Sequence, residues 1–329
     1  VLEFSPDNLK AMEAMFRVQA ARKDWDALAS ITEKMKQAHP DKAIGYYYSG
    51  MLLREQGKVE QSIGEFERAV ELAPGAIEPL TQLVRTHVSL EQPDNALEIL
   101  DGILADNADN VFAQNLKGEM YLFKEDYDMA VDAFETAISM QPQWQLPYRN
   151  LANTYLLMKE NEKAIGAYER GIDATGFSPL LVTDLARYFE ISGNVDKAIS
   201  LYEEVLVQDE NNNLASNNLA MLLIDYRGDE QSLQRASVLV ENLKDINNAA
   251  YQDTIGWLLY KQDRIEEAIP HLEKAVAASP DNVGLNYHLG MAYYKSGNKE
   301  GARKALTIAT STDQKYLGIE DARKALESL

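Results

Sequence analysis

The sequence predicts an all-α protein built from about nine tandem helix pairs and closed by one C-terminal helix. A helix-ending segment that contains proline recurs at equal steps, from Pro6 to Pro40 and from Pro40 to Pro74, and two further steps of the same length lead to Pro142. Between these prolines the apolar residues are spaced three and four apart, as on one face of an α-helix. A period of this length indicates one helix–turn–helix unit per repeat, and such units bury their apolar faces only by stacking on their neighbours.

Three positions carry the same type of residue in most repeats when the repeat is numbered so that its closing proline is position 32; the exceptions include Phe16 and Val84 at position 8 and Leu28 at position 20. Positions 8 and 20 hold small residues, and we expect them to face each other where the two helices of a pair approach most closely. Position 24 is bulky and is expected to fill the space toward the next repeat. The residues at position 8 are Gly50, Gly118, Ala152, Ala186, Ala220, Gly256 and Gly290; those at position 20 are Ala96, Ala130, Ala164, Ala198, Ala236, Ala268 and Ala302; and those at position 24 are Phe66, Leu100, Phe134, Tyr168, Tyr202, Leu272 and Leu306.

This pattern resembles the tetratricopeptide repeat family over almost the whole chain. The resemblance implies a right-handed superhelical solenoid in which the first helix of each pair builds the concave wall. Residues 1–6 match the end of a preceding repeat, so we expect the native polypeptide to extend upstream with further repeats. The predicted repeats span 7–40, 41–74, 75–108, 109–142, 143–176, 177–210, 211–248, 249–280 and 281–314, and residues 315–329 are predicted to be a capping helix.

Two irregularities interrupt the period. The seventh repeat is four residues longer than the others between Leu223 and Ala236, and the next repeat begins two residues early. We expect neither change to break the stack. After the ninth repeat, residues 316–329 are predicted to form one amphipathic helix whose apolar side, with Ile319 and Ala322, covers the end of the stack.

The balance of charge excludes several classes of partner. With 32 Lys and Arg against 52 Asp and Glu, the formal net charge is −20. A protein that binds nucleic acid needs a basic face whose contacts release counterions from phosphate, and docking on anionic lipid also needs basic residues. The longest apolar run is six residues, 219–224, and a membrane span needs roughly 18. We therefore expect no nucleic-acid partner and no membrane insertion in this segment.

No catalytic, metal or cofactor site is predicted. The chain has no cysteine, and its four histidines fall in different repeats without the spacing of metal ligands. It also lacks the motifs of nucleotide-binding loops and of serine hydrolases. Residues 106–110 superficially resemble a calcium loop, but they lack its glycine and its terminal glutamate and fit a turn between repeats.

The resemblance places positions 2, 5, 6, 9, 12 and 13 of each repeat on the concave groove. An asparagine amide both donates and accepts hydrogen bonds, so a row of asparagines can pair with the backbone of an extended peptide. The alternative is that exposed asparagines only solvate a helix face. Over nine repeats the six positions hold eight basic residues, Arg85 among them, and eight acidic ones, so the predicted groove is neutral. The polar set of predicted contact residues is Asn115, Arg149, Asn150, Asn153, Arg187, Asn217 and Asn218.

A second set of groove positions is aromatic or soft. Tyrosine, tryptophan and methionine are common anchors of binding surfaces. The alternative is that these side chains pack against the neighbouring helix and touch no partner. The set is Tyr47, Tyr48, Trp257, Tyr260, Tyr287, Met291 and Tyr294.

Two functions follow from the resemblance and the groove. The first is a non-catalytic scaffold that binds an extended peptide or partner segment in the groove. The second is a structural or self-assembling adaptor that acts through the convex face or the ends of the stack. The carboxylate clamp of some family members is absent, because Asp184 stands where the clamp has asparagine, and Leu214 and Asn218 stand where it has basic residues.

The last repeats carry a narrower resemblance. Residues 253–260 and 318–323 are similar to the C-terminal part of bacterial tetratricopeptide lipoproteins of exopolysaccharide and PEP-CTERM surface systems. This similarity implies a bacterial protein in the periplasm, anchored by a lipid that is attached upstream of Val1.

Overall fold

A computed structural model describes residues 7–312 and 316–329 of the chain. Within these residues the chain forms nineteen α-helices and no strand, which confirms the predicted all-α repeat fold. Residues 1–6, predicted to end a preceding repeat, and residues 313–315 lie outside the described part. Among the described residues, no helix is both long enough and apolar enough to cross a membrane.

The chain divides into two compact units, Val1–Ser178 and Pro179–Leu329, called here the first unit and the second unit. Within each unit every helix packs against the next helix along the chain. The first unit contains α1 (Leu9–Arg22), α2 (Trp25–Ala38), α3 (Ala43–Glu55), α4 (Val59–Leu72), α5 (Ile77–Ser89), α6 (Pro93–Asp106), α7 (Val111–Phe123), α8 (Tyr127–Met140), α9 (Gln145–Leu157) and α10 (Asn161–Thr175). The second unit contains α11 (Pro179–Ile191), α12 (Val195–Gln208), α13 (Asn213–Leu222), α14 (Glu230–Leu239), α15 (Ala249–Lys261), α16 (Ile265–Ala278), α17 (Val283–Ser296), α18 (Lys299–Ala309) and α19 (Ile319–Glu327).

The first helices of the pairs begin at regular intervals. In the first unit the intervals are equal, and these helices begin at Leu9, Ala43, Ile77, Val111 and Gln145. In the second unit the interval from the start of α13 to the start of α15 is longer than the one before it and the one after it. This longer interval contains the irregular seventh pair. The limits of the nine repeats themselves stay a prediction.

The turn inside a pair places one residue in the left-handed region of the backbone. Position 15 of the repeat has a positive φ in each pair except the seventh, where Gly228 at the next position takes this conformation. A residue other than glycine costs roughly 1–2 kcal/mol in this region. Packing of the two helices therefore imposes the turn on residues that do not favour it. Position 15 is glycine at Gly57, Gly193 and Gly297, and it is another residue, with φ between 56° and 65°, at Lys23, Glu91, Glu125, Lys159 and Asp263.

Small residues at position 8 allow the paired helices to approach closely. A Cβ atom added to Gly50 would lie 2.6 Å from the ring of Phe66, and one added to Gly118 would lie 2.5 Å from the ring of Phe134. These two rings stand at position 24 of the same repeats. Position 24 thus fills the gap that position 8 leaves within its own pair, and Phe66 also belongs to a buried cluster that includes Leu80 of the next repeat.

The longer seventh pair is accommodated by a change of helix type. Residues Leu223–Arg227 form a π-helical segment that continues α13, and Gly228, with a φ of +65°, ends it. After α14, residues Glu241–Leu243 form a short 3₁₀-helix. Ala236 is the one buried residue of α14, so this helix contributes less to the core than the other second helices of the second unit. The neighbouring helices still contact one another, as expected.

The C-terminal helix α19 begins three residues later than predicted, at Ile319. The preceding Gly318 has a φ of +95°, and a Cβ atom there would lie 2.2 Å from the ring of Tyr287. Because this conformation is not helical, residues 316–318 form a turn over Tyr287 instead of the first turn of the helix. The helix packs on α17 and α18 and buries Ile319, Ala322 and Ala325.

Candidate protein-interaction surfaces

The first unit has an open cavity of about 570 Å³ on the first helices of its first three pairs. Tyr47 and Tyr48, both predicted contact residues, line it from α3. Its other lining residues come from α1, from the ends of α3 and α5 nearest to it, and from the turns before those helices. The apolar ones are Leu9, Ala43, Ile44, Ala76 and Pro79, and the charged ones are Glu13, Arg17, Lys42 and Glu78.

The two tyrosines of this cavity are held by other aromatic rings. Tyr48 stacks on Phe16, with 4.3 Å between the ring centroids. Tyr47 lies 5.4 Å from Tyr48 and 6.3 Å from Phe66, measured between centroids. Burial raises the pKa of Tyr47, and the negative charge of Glu78 raises it further. At neutral pH Tyr47 therefore presents a neutral phenol in a partly apolar site.

Asn115 and Asn150 form a hydrogen-bonded network on α7 and α9. Asn115 is only 3% exposed, and its Nδ2 donates to Oε1 of Glu119 over 2.8 Å. Nδ2 of Asn150 donates to Oδ1 of Asn115 over 3.1 Å and to Oε1 of Glu119 over 3.2 Å. Burial raises the pKa of Glu119, while the two amide hydrogen bonds and the charge of Arg85 oppose the shift. The buried Asn115 amide therefore joins two neighbouring repeats.

The remaining predicted residues of the first unit lie nearer to solvent. Asn153 is exposed on α9 and accepts a hydrogen bond of 3.0 Å at Oδ1 from the hydroxyl of Tyr168, which leaves the amide hydrogens of Asn153 to other partners. Arg149 is half-buried on the same helix, and Arg85 is exposed on α5.

Asn217 of the second unit repeats the arrangement of Asn115. It is 7% exposed, and its Oδ1 accepts a hydrogen bond of 2.8 Å from the hydroxyl of Thr254. Its Nδ2 donates to Oδ1 of Asn218 over 3.3 Å, and Nδ2 of Asn218 donates to the hydroxyl of Tyr202 over 3.1 Å. Burial raises the pKa of Tyr202 to about 12. Asn115 and Asn217 both stand at position 5 and accept from position 6 of the next repeat, so these amides link repeats to one another.

Trp257 lies at the centre of a buried aromatic cluster in the second unit. It is 2% exposed, and its ring stacks on Tyr260 at 4.6 Å and on His288 at 4.1 Å between centroids. Its indole Nε1 donates to Oδ1 of Asp225 over 2.7 Å. Nδ1 of His288 lies 2.9 Å from both carboxylate oxygens of Asp253, which is also buried. This cluster ties the first helices of the seventh, eighth and ninth pairs together.

Tyr287 is covered from the C-terminal side of the second unit. It is 7% exposed, and Tyr316 packs edge-on against it with 5.8 Å between centroids. Tyr294, by contrast, is 40% exposed and accepts a hydrogen bond of 2.9 Å from the hydroxyl of Ser328. Met291 is half-buried on the same helix, α17.

A second cavity, of about 390 Å³, lies on α11 and α13 of the second unit. It brings together the predicted residues Arg187 and Asn218 with two exposed apolar side chains, Ile191 and Leu214. Burial raises the pKa of Glu190, the remaining lining residue. Ile191 and Leu214 stand at groove positions 13 and 2, but the predicted contact sets leave them out, because Ile and Leu on a helix look like core residues.

Four of the predicted contact residues are thus removed from an accessible surface: Asn115, Asn217, Trp257 and Tyr287. Their side chains are buried by residues of neighbouring repeats and, at Tyr287, of the C-terminal turn. By contrast, Arg85 and Asn153, at position 9 like Trp257, stay exposed. Glu78 is not among the predicted contact residues, although it is one of the eight acidic groove residues of the sequence. In the structure it lines the cavity together with Tyr47.

Within the described residues no group of three His, Asp or Glu side chains could hold a metal ion.

Sequence comparison identifies the repeats in both units. Models of the tetratricopeptide repeat match residues 17–77, 53–119, 113–143 and 259–329, which together are more than half of the chain. The uncharacterized protein y4yS of Sinorhizobium fredii (strain NBRC 101917 / NGR234) is 28% identical over 78 residues, which are 24% of this chain and 43% of that protein. The chain therefore spans less than half of the length of this curated relative. The resemblance to lipoproteins of exopolysaccharide systems stays a prediction.

Two solved structures share the fold. The APC/C hetero-tetramer Cut9–Hcn1 matches with a TM-score of 0.54 and 16% identity, over 92% of this chain and 59% of that chain. A tetratricopeptide repeat protein of Parabacteroides merdae ATCC 43184 matches with a TM-score of 0.51 and 18% identity, over 76% of this chain and 97% of that one. At these identities the likeness concerns the fold, which is typical of protein-interaction scaffolds. From its repeat matches and its helix pairs, this chain belongs to the tetratricopeptide repeat family.

Proposed function

We propose that this protein is a non-catalytic interaction scaffold that holds an extended segment of a partner protein on the first helices of the first unit. The observation that carries the proposal is the cavity at Tyr47 and Tyr48, which three successive first helices form together. A volume of about 570 Å³ accommodates one or two side chains of a peptide. Partly exposed tyrosines in such a site are typical anchors of a protein partner.

An extended segment fits this surface better than a folded domain. The cavity lies on three first helices that follow one another along a single row, and both apolar and charged residues line it. Further along the same row of first helices, Asn153 offers amide hydrogens and Arg85 offers a charged group. A peptide chain that runs along the row can use its backbone at Asn153 and place a side chain in the cavity.

Selection of peptides from a displayed random library tests this proposal. Selected peptides are expected to bind Tyr47→Ala at least tenfold more weakly than the native chain, since the variant removes the main aromatic wall of the cavity. Tyr46→Ala is the matched control, because Tyr46 neighbours Tyr47 on α3 but does not line the cavity. Circular dichroism confirms that both variants are folded. Equal affinity of the peptides for the native chain and for Tyr47→Ala contradicts the proposed site.

A further inference from the structure

The carboxylate of Glu78, at the cavity of the first unit, forms no ion pair with a described residue. Nζ of Lys42 lies 3.3 Å from the carboxylate of Asp41, so these two charges offset each other. Arg17 and Glu13, four residues apart on α1, cancel in the net charge of the lining, but within the described residues no ion pair joins them. For the carboxylate of Glu78, residues 7–312 and 316–329 provide neither an ion pair nor a hydrogen bond.

The aromatic wall of the cavity also lacks a cation. Tyr46, which precedes Tyr47 on α3, has two cations near its ring. Nζ of Lys36 lies 5.8 Å and the guanidinium carbon of Arg68 lies 5.9 Å from the ring centroid of Tyr46. No lysine or arginine of the described residues stands over the ring of Tyr47 in this way. Adjacent tyrosines of α3 therefore differ: the chain itself supplies cations to Tyr46, and the side of Tyr47 that meets the cavity is left to a ligand.

Glu78 and Tyr47 are close enough to act on the same ligand group. Both line the cavity, Tyr47 from the first turn and a half of α3 and Glu78 from the first turn of α5. The charge of Glu78 contributes to the raised pKa of Tyr47, which agrees with this proximity. A cation between them meets a carboxylate and the ring of a phenol within one site, and its attraction to the ring is to the negative face.

Building on the proposed function, we infer that the cavity receives a lysine or arginine side chain of the bound segment, which pairs with Glu78 and packs against Tyr47. The methylene stem of such a side chain covers the apolar wall formed by Leu9, Ile44 and Pro79 while its charged end stays at the rim. The preferred partner is therefore a segment with a basic residue flanked by apolar ones. Such a site binds a positively charged side chain, whereas the carboxylate clamp of some family members binds a negatively charged group.

Three capped tripeptide amides test the inference: leucyl-arginyl-leucine, leucyl-glutaminyl-leucine and leucyl-glutamyl-leucine. Their binding to the full chain is followed by NMR of ring-labelled tyrosines, with the Tyr47 signal assigned from the Tyr47→Phe variant. We expect the arginine peptide to bind about fivefold more tightly than the glutamine peptide, because it adds one ion pair and one cation–π contact. The glutamate peptide should bind most weakly.

The variant Glu78→Gln is expected to abolish the preference for arginine over glutamine. Glu60→Gln is the matched control, because Glu60 is also exposed and is likewise the second residue of its helix, but does not line the cavity. If the arginine and glutamine peptides shift the Tyr47 signal with equal affinity, the inference is overturned and the peptide site stands. If none of the three peptides shifts it, the inference and the proposed site are both contradicted.

Discussion

Tyr47 in the first unit and Tyr287 in the second occupy the same position, the fifth, of their repeats. Tyr47 is half-buried and lines an open cavity, whereas Tyr287 is only 7% exposed. The difference comes from what lies above each ring. Residues 316–318 turn over Tyr287, with Tyr316 against its ring and Gly318 close enough to exclude a Cβ atom. No described residue covers the Tyr47 side of the cavity in this way.

The comparison shows that the position of a residue in the repeat determines which way its side chain points, but not how exposed that side chain is. Position 5 points toward the row of first helices in both units, and the same holds for Asn115 and Asn217, which are buried there. Whether the side chain meets a partner depends on residues far away in the sequence. We therefore look for a contact surface in this fold where the cover is missing, and propose the cavity of the first unit as such a place.

The largest expected effect tests the cover over Tyr287. We expect Gly318→Ala to lower the free energy of unfolding by about 3 kcal/mol, since the new methyl group meets the Tyr287 ring and the residue keeps a left-handed backbone. Gly297→Ala is the control, because its φ is also positive, at +83°, but no atom lies within 4 Å of the added Cβ. Urea unfolding should give a loss of only about 1 kcal/mol for this control.

Hydrogen exchange measured by mass spectrometry locates the effect of Gly318→Ala. We expect faster exchange of the amides of α19, because the turn that seats this helix on Tyr287 is pushed away. Equal losses of stability for Gly318→Ala and Gly297→Ala would show that the backbone conformation alone matters and that Gly318 does not hold a cover in place.

A smaller effect concerns the turns inside the pairs, where the same position carries glycine in some repeats and another residue in others. Lys159 of the first unit has a φ of +61°, where Gly193 and Gly297 of the second unit place glycine. We expect Lys159→Gly to raise the free energy of unfolding by about 1 kcal/mol, since glycine tolerates this conformation without steric cost. Glu162→Gly, on the exposed first turn of α10, should instead lower it by up to about 1 kcal/mol. If urea unfolding shows that Lys159→Gly is less stable than the native chain, the left-handed backbone at Lys159 is not strained.

The smallest expected effect is a difference between the two asparagine networks in how their contribution to stability depends on pH. The network of Asn115 includes a buried carboxyl, Glu119, whereas that of Asn217 uses the hydroxyl of Thr254. Burial raises the pKa of Glu119 above its ordinary value of 4.5, so the folded chain holds this proton more tightly than the unfolded chain. The resulting stability is fully present below pH 4.5 and is lost as the pH rises through the raised pKa.

Glu119→Gln should therefore be more stable than the native chain at pH 7, and the difference should shrink at pH 4. Chemical unfolding at the two pH values measures this, with Glu98→Gln on the exposed face of α6 as the control. A stability difference that does not depend on pH argues against a carboxyl that is penalised by burial.

The helical part of the structure follows closely from the sequence. The constant period of the repeats predicts helices that begin at Leu9, Ala43 and Ile77 and at each later step, because spacing, caps and turns are local properties of the chain. The small residues at position 8 are also predictable, since no larger residue fits against a ring such as Phe66 or Phe134. The later start of α19 was missed, because it depends on the contact between Gly318 and Tyr287.

The candidate site is predictable only in part. Tyr47, Tyr48 and Arg187 line cavities where the pattern places them, whereas Trp257 and Tyr287 are buried by residues of other repeats. Glu78 is a candidate contact residue because it lines the cavity together with Tyr47 and forms no ion pair with a described residue. Neither circumstance can be read from spacing along one helix.

The all-α class, the period of the helix pairs and the type of residue at each helix seam are encoded in local sequence, because they depend on helix propensity, turn chemistry and side-chain size. Which groove residues are exposed depends on the tertiary structure. Exposure depends on contacts between repeats, such as the hydroxyl of Thr254 on Asn217, the ring of His288 on Trp257 and the turn at Gly318 on Tyr287. Each of these contacts joins residues of different repeats or of a repeat and the C-terminal turn, beyond the reach of any pattern within one repeat.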